Sequence, residues 1–115
     1  MSIEVEERPW GRYFVLQDEP TYKLKRIEVE IGHRLSYQYH HRRSEAWTIV
    51  QGEALITLEG IEKLFKQGET ILIPNGIKHR VQNTSKCLLI FIEVQTGEYF
   101  GEDDIIRIED DYLRR

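Results

Sequence analysis

Short runs of apolar residues, many of them β-branched or aromatic, alternate with glycine and proline turns along almost the whole chain. Such runs favour β-strands, because these side chains fit a pleated surface that is buried on one side. Turn residues stand between the runs at Gly32, Gly52, Gly60, Gly68 and 74–76. The predicted strands are Tyr13–Gln17, Tyr22–Glu30, Leu35–Tyr39, Trp47–Gln51, Ala54–Leu58, Glu62–Phe65, Thr70–Ile73, Arg80–Gln82 and Cys87–Val94.

No helical period of useful length precedes Glu102, and the acidic segment Asp103–Tyr112 indicates a short helix or a turn. Many short strands with regular turns are typical of a sandwich, jelly roll or barrel. We find no clear internal repeat, linker or low-complexity segment in the sequence. The pattern therefore predicts one all-β domain over residues 1–115.

Composition restricts the possible partners. The chain has 115 residues, 40% of them hydrophobic, with 16 basic and 20 acidic side chains. A net charge of -4 argues against nucleic acid or a membrane surface as a partner attracted by bulk charge. Apolar runs such as Cys87–Ile92 are too short to span a bilayer.

The acidic first residues, Met1–Glu7, lack the apolar segment of a secretory signal, so we expect a cytoplasmic protein. Cys87 is the single cysteine, and within its apolar run we expect a buried thiol.

Polar residues capable of binding a metal gather between Gly32 and Gly52. Gln38 and His40 lie two positions apart on a predicted strand and therefore share a face. A turn through Arg42–Ser44 would bring Glu45 back beside them. His79 follows a second turn, at Pro74–Gly76, where a lone histidine would more often be a surface residue than a ligand.

Taken together, the two stretches resemble the two sequence motifs of the cupin superfamily. The first contains Gly32, Gln38, His40, Glu45 and Gly52, with glutamine where most cupins have histidine. The second contains Gly68, Pro74, Gly76, His79 and Asn83. The resemblance implies a double-stranded β-helix, or jelly-roll barrel.

The same resemblance implies that Gln38, His40, Glu45 and His79 hold one divalent metal ion. A set of nitrogen and oxygen ligands without thiolate suits Zn²⁺, Mn²⁺, Co²⁺, Ni²⁺ or Fe²⁺, and does not choose among them. The alternative is a barrel whose interior polar residues bond one another and bind nothing.

A narrower resemblance covers most of the chain. The run Leu35–Trp47 is similar to the Leu-Ser-x-Gln-x-His-His-His-Arg-x-Glu-His-Trp pattern of type II mannose-6-phosphate isomerase domains, and Val94–Arg107 is similar to a second segment of that family. Three positions depart from its pattern. Arg42 and Ala46 stand in place of histidines, and Leu113 in place of a glycine; we expect Ala46 to remove an imidazole beside the site.

This resemblance implies a metal-dependent isomerase that interconverts mannose 6-phosphate and fructose 6-phosphate. Arg107 is the preferred phosphate anchor, because the family motif places an arginine there and a guanidinium can bind two oxygens. Lys25 and Arg26 are further candidates, and only one of them should face the interior. The base could be Lys25, a carboxylate near the ligands or hydroxide on the metal.

Two other function classes stay open. One is a binding or regulatory cupin without turnover, favoured by Ala46 and by the lack, in this sequence, of the Gly-rich nucleotide loop of the nucleotidyltransferase fused to most such domains. The other is a different metal-dependent cupin enzyme, such as an oxygenase, against which Gln38 argues. We also expect a homodimer, joined through the apolar first predicted strand at Tyr13–Leu16, because exposed sheet edges are usually covered.

Overall fold

A computed structural model describes residues 3–112 as two antiparallel β-sheets packed face to face. The strands are β1 (Glu4–Arg8), β2 (Gly11–Asp18), β3 (Tyr22–Val29), β4 (Tyr37–Tyr39), β5 (Arg43–Gln51), β6 (Glu53–Leu58), β7 (Ile61–Lys66), β8 (Thr70–Ile73), β9 (His79–Asn83), β10 (Leu89–Gly97) and β11 (Ile106–Glu109). The larger sheet has the order β1-β2-β3-β10-β5-β8 and the smaller one β11-β4-β9-β6-β7. The all-β prediction is confirmed.

The core lies between the sheets. Alternate residues of the central strands point inward, so apolar side chains from both sheets interdigitate. Trp47, Ile49 and Phe91 come from the larger sheet, and Ile56 and Val81 from the smaller one.

The inward-facing residues of β5 and β10 change from apolar to polar along the length of the strands. Ile49 and Phe91 are apolar neighbours at one end, whereas the inward residues toward the other end are Glu45, Glu93 and Gln95. The interior therefore has an apolar half and a polar half, and the polar half holds the candidate site.

Three expectations about local structure need correction. The expected short helix or turn is limited to the 3-10 turn Glu102–Asp104, and β11 follows it, because Ile106, Arg107 and Glu109 pair with β4 as a strand. Cys87 is exposed, because β10 begins only at Leu89. The first strand is β1, so Tyr13–Leu16 lies between β1 and β3 and offers no free edge.

The break between β4 and β5 is also shorter than predicted, since β5 already begins at Arg43. Leu113, the third position expected to depart from the family pattern, lies outside the described residues. Within 3–112, no helix is long and apolar enough to cross a membrane.

Candidate metal centre

Two chain reversals carry the predicted ligands to one place. His40 directly follows β4, and its carbonyl accepts a hydrogen bond from Gly76 N at 2.6 Å. Asn75 strengthens the connection, since its Nδ2 donates to the His41 carbonyl at 3.1 Å and its N–H donates to Ser44 Oγ at 3.1 Å. The turn of the second motif is thereby fastened to the first motif, and His79 begins β9 a few residues later.

His40, Glu45 and His79 form a buried group that could hold a metal ion, with one ligand atom from each within 4.8 Å of the others. His40 Nε2 lies 3.5 Å from Glu45 Oε2, and His79 Nε2 lies 3.9 Å from Glu45 Oε1. Gln38 joins them, with its Nε2 3.4 Å from His40 Nε2. The structure thus brings all four predicted ligands together.

Both imidazoles are suited to bind a cation through a lone pair. Burial, with a contribution from the Arg43 charge, lowers the pKa of His40 to about 3, and burial also lowers the pKa of His79. His79 Nδ1 lies 2.8 Å from the Ile77 carbonyl, to which it donates. Its other nitrogen, Nε2, is buried without a hydrogen-bond partner and faces Glu45. A buried acceptor left in this way costs stability unless something binds it, which fits a metal site.

Donors from two neighbouring side chains hold the Glu45 carboxylate. Arg43 Nε donates to Glu45 Oε2 at 2.9 Å, and Trp47 Nε1 donates to Glu45 Oε1 at 3.1 Å. Trp47 Nε1 also donates to Glu93 Oε2 at 2.9 Å. Burial, followed by the neighbouring Glu45 charge, raises the pKa of Glu93 to about 7.

A pocket opens beside the ligands at the polar end of the barrel. Gln38 on β4 and Glu93 on β10 form part of its wall. Its cations come from four strands, β1, β3, β5 and β11, and they are Arg8, Lys25, Arg43 and Arg107. A group of metal-binding side chains beside a cationic pocket can combine two functions. A bound ion can polarise a carbonyl group, and the cations can bind an anion.

The predicted phosphate-binding residues occupy different walls. Arg107 pairs with Gln38 in the β4–β11 register and lines the pocket. Lys25 is buried and lines it from β3, with its Nζ 4.1 Å from the centre of the Tyr13 ring. Arg26 is directed away, toward Glu28, with 2.7 Å between Nη2 and Oε2.

Sequence reasoning missed four charged residues that line the pocket, Arg8, Arg43, Glu93 and Glu102. Arg43 was expected in a turn, although its position two residues before Glu45 on one strand would have indicated a shared face. Glu93 stands inside an otherwise apolar run, which is a signal for an inward polar group. Glu102 carried no signal, because only the folded chain brings it to Lys25.

Ala46 lies on the opposite face of β5, beside Leu72 and Val94. The expectation that this alanine removes an imidazole beside the site was therefore wrong. Arg42, the other departure from the histidine pattern, is exposed, and its Nε lies 3.5 Å from Glu98 Oε1.

Solved structures share this architecture. The capsular polysaccharide assembling protein CapF of Staphylococcus aureus superposes with a TM-score of 0.84 at 18% identity, over 95% of this chain and 33% of that one. An RmlC-like cupin from Shewanella frigidimarina gives a TM-score of 0.75 at 22% identity, over 88% and 87%. The fold is that of a cupin.

The family is narrower than the fold. The model of the mannose-6-phosphate isomerase C-terminal family matches residues 3–110, and the chain belongs to this family. A mannose-1-phosphate guanylyltransferase of Salmonella montevideo is 45% identical over 107 residues, which are 93% of this chain and 23% of that protein. The xanthan biosynthesis protein XanB of Xanthomonas campestris is 44% identical over the same shares. The chain thus spans less than a quarter of the length of these relatives.

Proposed function

We propose that the chain is a metal-dependent sugar-phosphate isomerase domain that interconverts mannose 6-phosphate and fructose 6-phosphate. The observation that supports this most is the buried group of His40, Glu45 and His79 next to a pocket lined by several cations. Membership of the mannose-6-phosphate isomerase C-terminal family supports the choice of substrate. The reaction requires a polarised carbonyl, a proton transfer between C1 and C2, and a grip on the phosphate.

The ligands we propose are His40, Glu45 and His79, with Gln38 as the fourth. In the structure Gln38 Oε1 accepts from Ser36 Oγ at 2.6 Å. A half-turn of the amide would direct this oxygen toward His40, and the Ser36 hydroxyl would then change from donor to acceptor. A divalent ion (Zn²⁺, Mn²⁺, Co²⁺, Ni²⁺ or Fe²⁺) would supply polarisation of the sugar carbonyl.

Arg107 and Lys25 are the residues we propose for the substrate. A guanidinium binds two phosphate oxygens at once, which suits Arg107 as the anchor. Lys25 presents an ammonium group in the same pocket, where it can bind an anionic group or donate to a sugar oxygen. Among the alternatives for the base, the carboxylate near the ligands corresponds to Glu93, which lines the pocket.

The test is an isomerase assay of the purified chain. Mannose 6-phosphate is supplied with Mn²⁺, Zn²⁺ or Co²⁺, and fructose 6-phosphate is detected by a coupled reaction. We expect turnover with at least one of these ions, and its loss in His40→Ala. His41→Ala is the matched control, because His41 is the neighbouring histidine, is exposed, and is not part of the buried group. Binding of the sugar phosphate without turnover in the presence of any of these ions would instead favour a binding module.

A further inference from the structure

A carboxylate of the chain itself occupies the cationic end of the pocket. Glu102 Oε2 lies 3.5 Å from Lys25 Nζ and 3.7 Å from Arg43 Nη1. The side chains of Lys25 and Arg43 are only 4% and 3% exposed, whereas that of Glu102 is 37% exposed. A half-exposed anion thus covers two buried cations.

We propose that Glu102 is an exchangeable internal anion, which occupies the Lys25–Arg43 subsite in the free protein and is replaced there by the phosphate group of the substrate. The inference rests on the proposed function for the identity of the ligand. It adds Arg43 to the residues that bind phosphate, and it gives Glu102 the role of regulating access.

The pocket holds more cations than carboxylates. Lys25 rests on the ring of Tyr13 and pairs with Glu93 in the β3–β10 register, and Arg43 donates to Glu45 of the metal centre. Four cations nevertheless line the pocket, against the two carboxylates Glu93 and Glu102. Departure of Glu102 would leave an excess of positive charge at a largely buried place, which is costly unless another anion enters. The subsite should therefore exchange anions and should not simply open.

The contacts of Glu102 are weak enough to be exchanged. Its distances of 3.5 and 3.7 Å are longer than the 2.9 Å between Arg43 Nε and Glu45 Oε2. Burial alone would raise the pKa of Glu102, but Lys25 and Arg43 lower it overall, so the group is ionised near neutral pH. A phosphate dianion brings more charge and more acceptor oxygens to the same donors.

The small volume of the pocket also indicates that Glu102 must move before a phosphate group can enter. Its volume is about 40 Å³, whereas pockets for small molecules usually measure roughly 300–1,000 Å³. Rotation of the Glu102 side chain toward solvent would enlarge it. The turn itself can stay in place, because Asp104 accepts hydrogen bonds from the backbone N–H of His41 and Arg42 at 3.3 and 3.0 Å.

The experiment compares phosphate binding by the parent, Glu102→Gln and Glu98→Gln. Both substitutions remove one negative charge from the same segment, but Glu98 is exposed and pairs with Arg42 outside the pocket. Inorganic phosphate is titrated calorimetrically into each protein. If the parent subsite is about 90% occupied by Glu102, the Glu102→Gln variant should bind phosphate roughly tenfold more tightly. The Glu98→Gln variant should bind like the parent.

Equal affinities for the parent and Glu102→Gln, or an equal gain in Glu98→Gln, would overturn the proposal. Glu102→Ala provides a second variant should the glutamine perturb folding, which a thermal melt would reveal. In a Lys25→Met background, phosphate should bind more weakly, and Glu102→Gln should give a smaller gain. None of these readouts needs turnover, so a protein without isomerase activity could still confirm the exchange, and an active isomerase could still refute it.

Discussion

Arg43 is the residue that joins the metal centre to the anion-binding end of the pocket. Its Nε donates to Glu45, and its Nη1 donates to the Phe100 carbonyl at 3.2 Å. One guanidinium therefore orients a proposed metal ligand and, through its other edge, faces Glu102. Lysine at this position would keep the positive charge but lose the planar guanidinium. One side chain could then no longer contact Glu45 and Glu102 at the same time.

Replacing Arg107 should separate substrate binding from metal binding. We expect Arg107→Ala to keep its metal and to lose about 2–4 kcal/mol of binding free energy for mannose 6-phosphate, because a two-oxygen contact to a dianion is removed. Arg107→Lys should recover only part of this. Metal analysis and calorimetry on the same samples would measure both quantities. Arg26→Ala is the control, since Arg26 is directed out of the pocket; unaltered affinity in Arg107→Ala would place the anchor elsewhere.

Replacing His79 should instead abolish metal binding. His79→Ala removes a buried nitrogen that faces Glu45, so we expect loss of stoichiometric Co²⁺ or Zn²⁺ after loading and desalting. His41→Ala should retain the ion. Elemental analysis of both variants beside the parent decides the matter, and full metal content in His79→Ala would remove this histidine from the ligand set.

The metal ligands could be predicted from the sequence, whereas a charged pocket residue such as Glu102 could not. His40, Glu45 and His79 stand at fixed spacings within two local motifs, and the turn at Gly76 brings the motifs together. Glu102 meets Lys25 through a contact between residues far apart in the chain. Spacing can indicate the first kind of juxtaposition, but the second depends on how the strands are ordered in the two sheets.

At the scale of elements, strand identity could be predicted wherever apolar residues dominate. β1 and β11 were missed because their charged residues hide the alternation, and each lies at the edge of its sheet with a single neighbouring strand. Edge strands are often charged, since charge discourages pairing with other chains. The alternation of apolar and polar residues therefore identifies buried strands, but it fails for edge strands that bury little apolar surface.

The turn of the second motif should be sensitive to its backbone. Gly76 has φ of 82° and accepts a Cβ without any atom within 4 Å, so alanine there adds strain but no clash. We expect Gly76→Ala to lower the free energy of unfolding by about 1–2 kcal/mol. Gly76→Asn should lose less, because asparagine tolerates this conformation better. Urea unfolding measures both, and equal losses would show that the strain is not the cause.

At the scale of the whole molecule, the assembly state stays a prediction, and we expect a homodimer. The free edge of β1 is acidic, which argues against pairing there. β8 forms the other edge of that sheet and exposes 70% of Leu72, which lies beside Ala46 and Val94. We therefore place the dimer contact on this apolar surface of β8, β5 and β10.

Light scattering at micromolar concentration tests the assembly. The parent should have the mass of a dimer, and Leu72→Glu should shift it toward a monomer. Ile61→Glu serves as control, because Ile61 is 74% exposed on β7 of the smaller sheet. A monomeric parent would contradict the dimer, and a dimeric Leu72→Glu would move the contact to another surface.

The division of the interior into an apolar and a polar half has a consequence for how this barrel can change. β5 and β10 carry core residues and site residues on the same inward rows, yet at opposite ends. Substitutions at a few inward positions near one end could therefore redirect the chemistry, while the packing that determines the shape stays as it is.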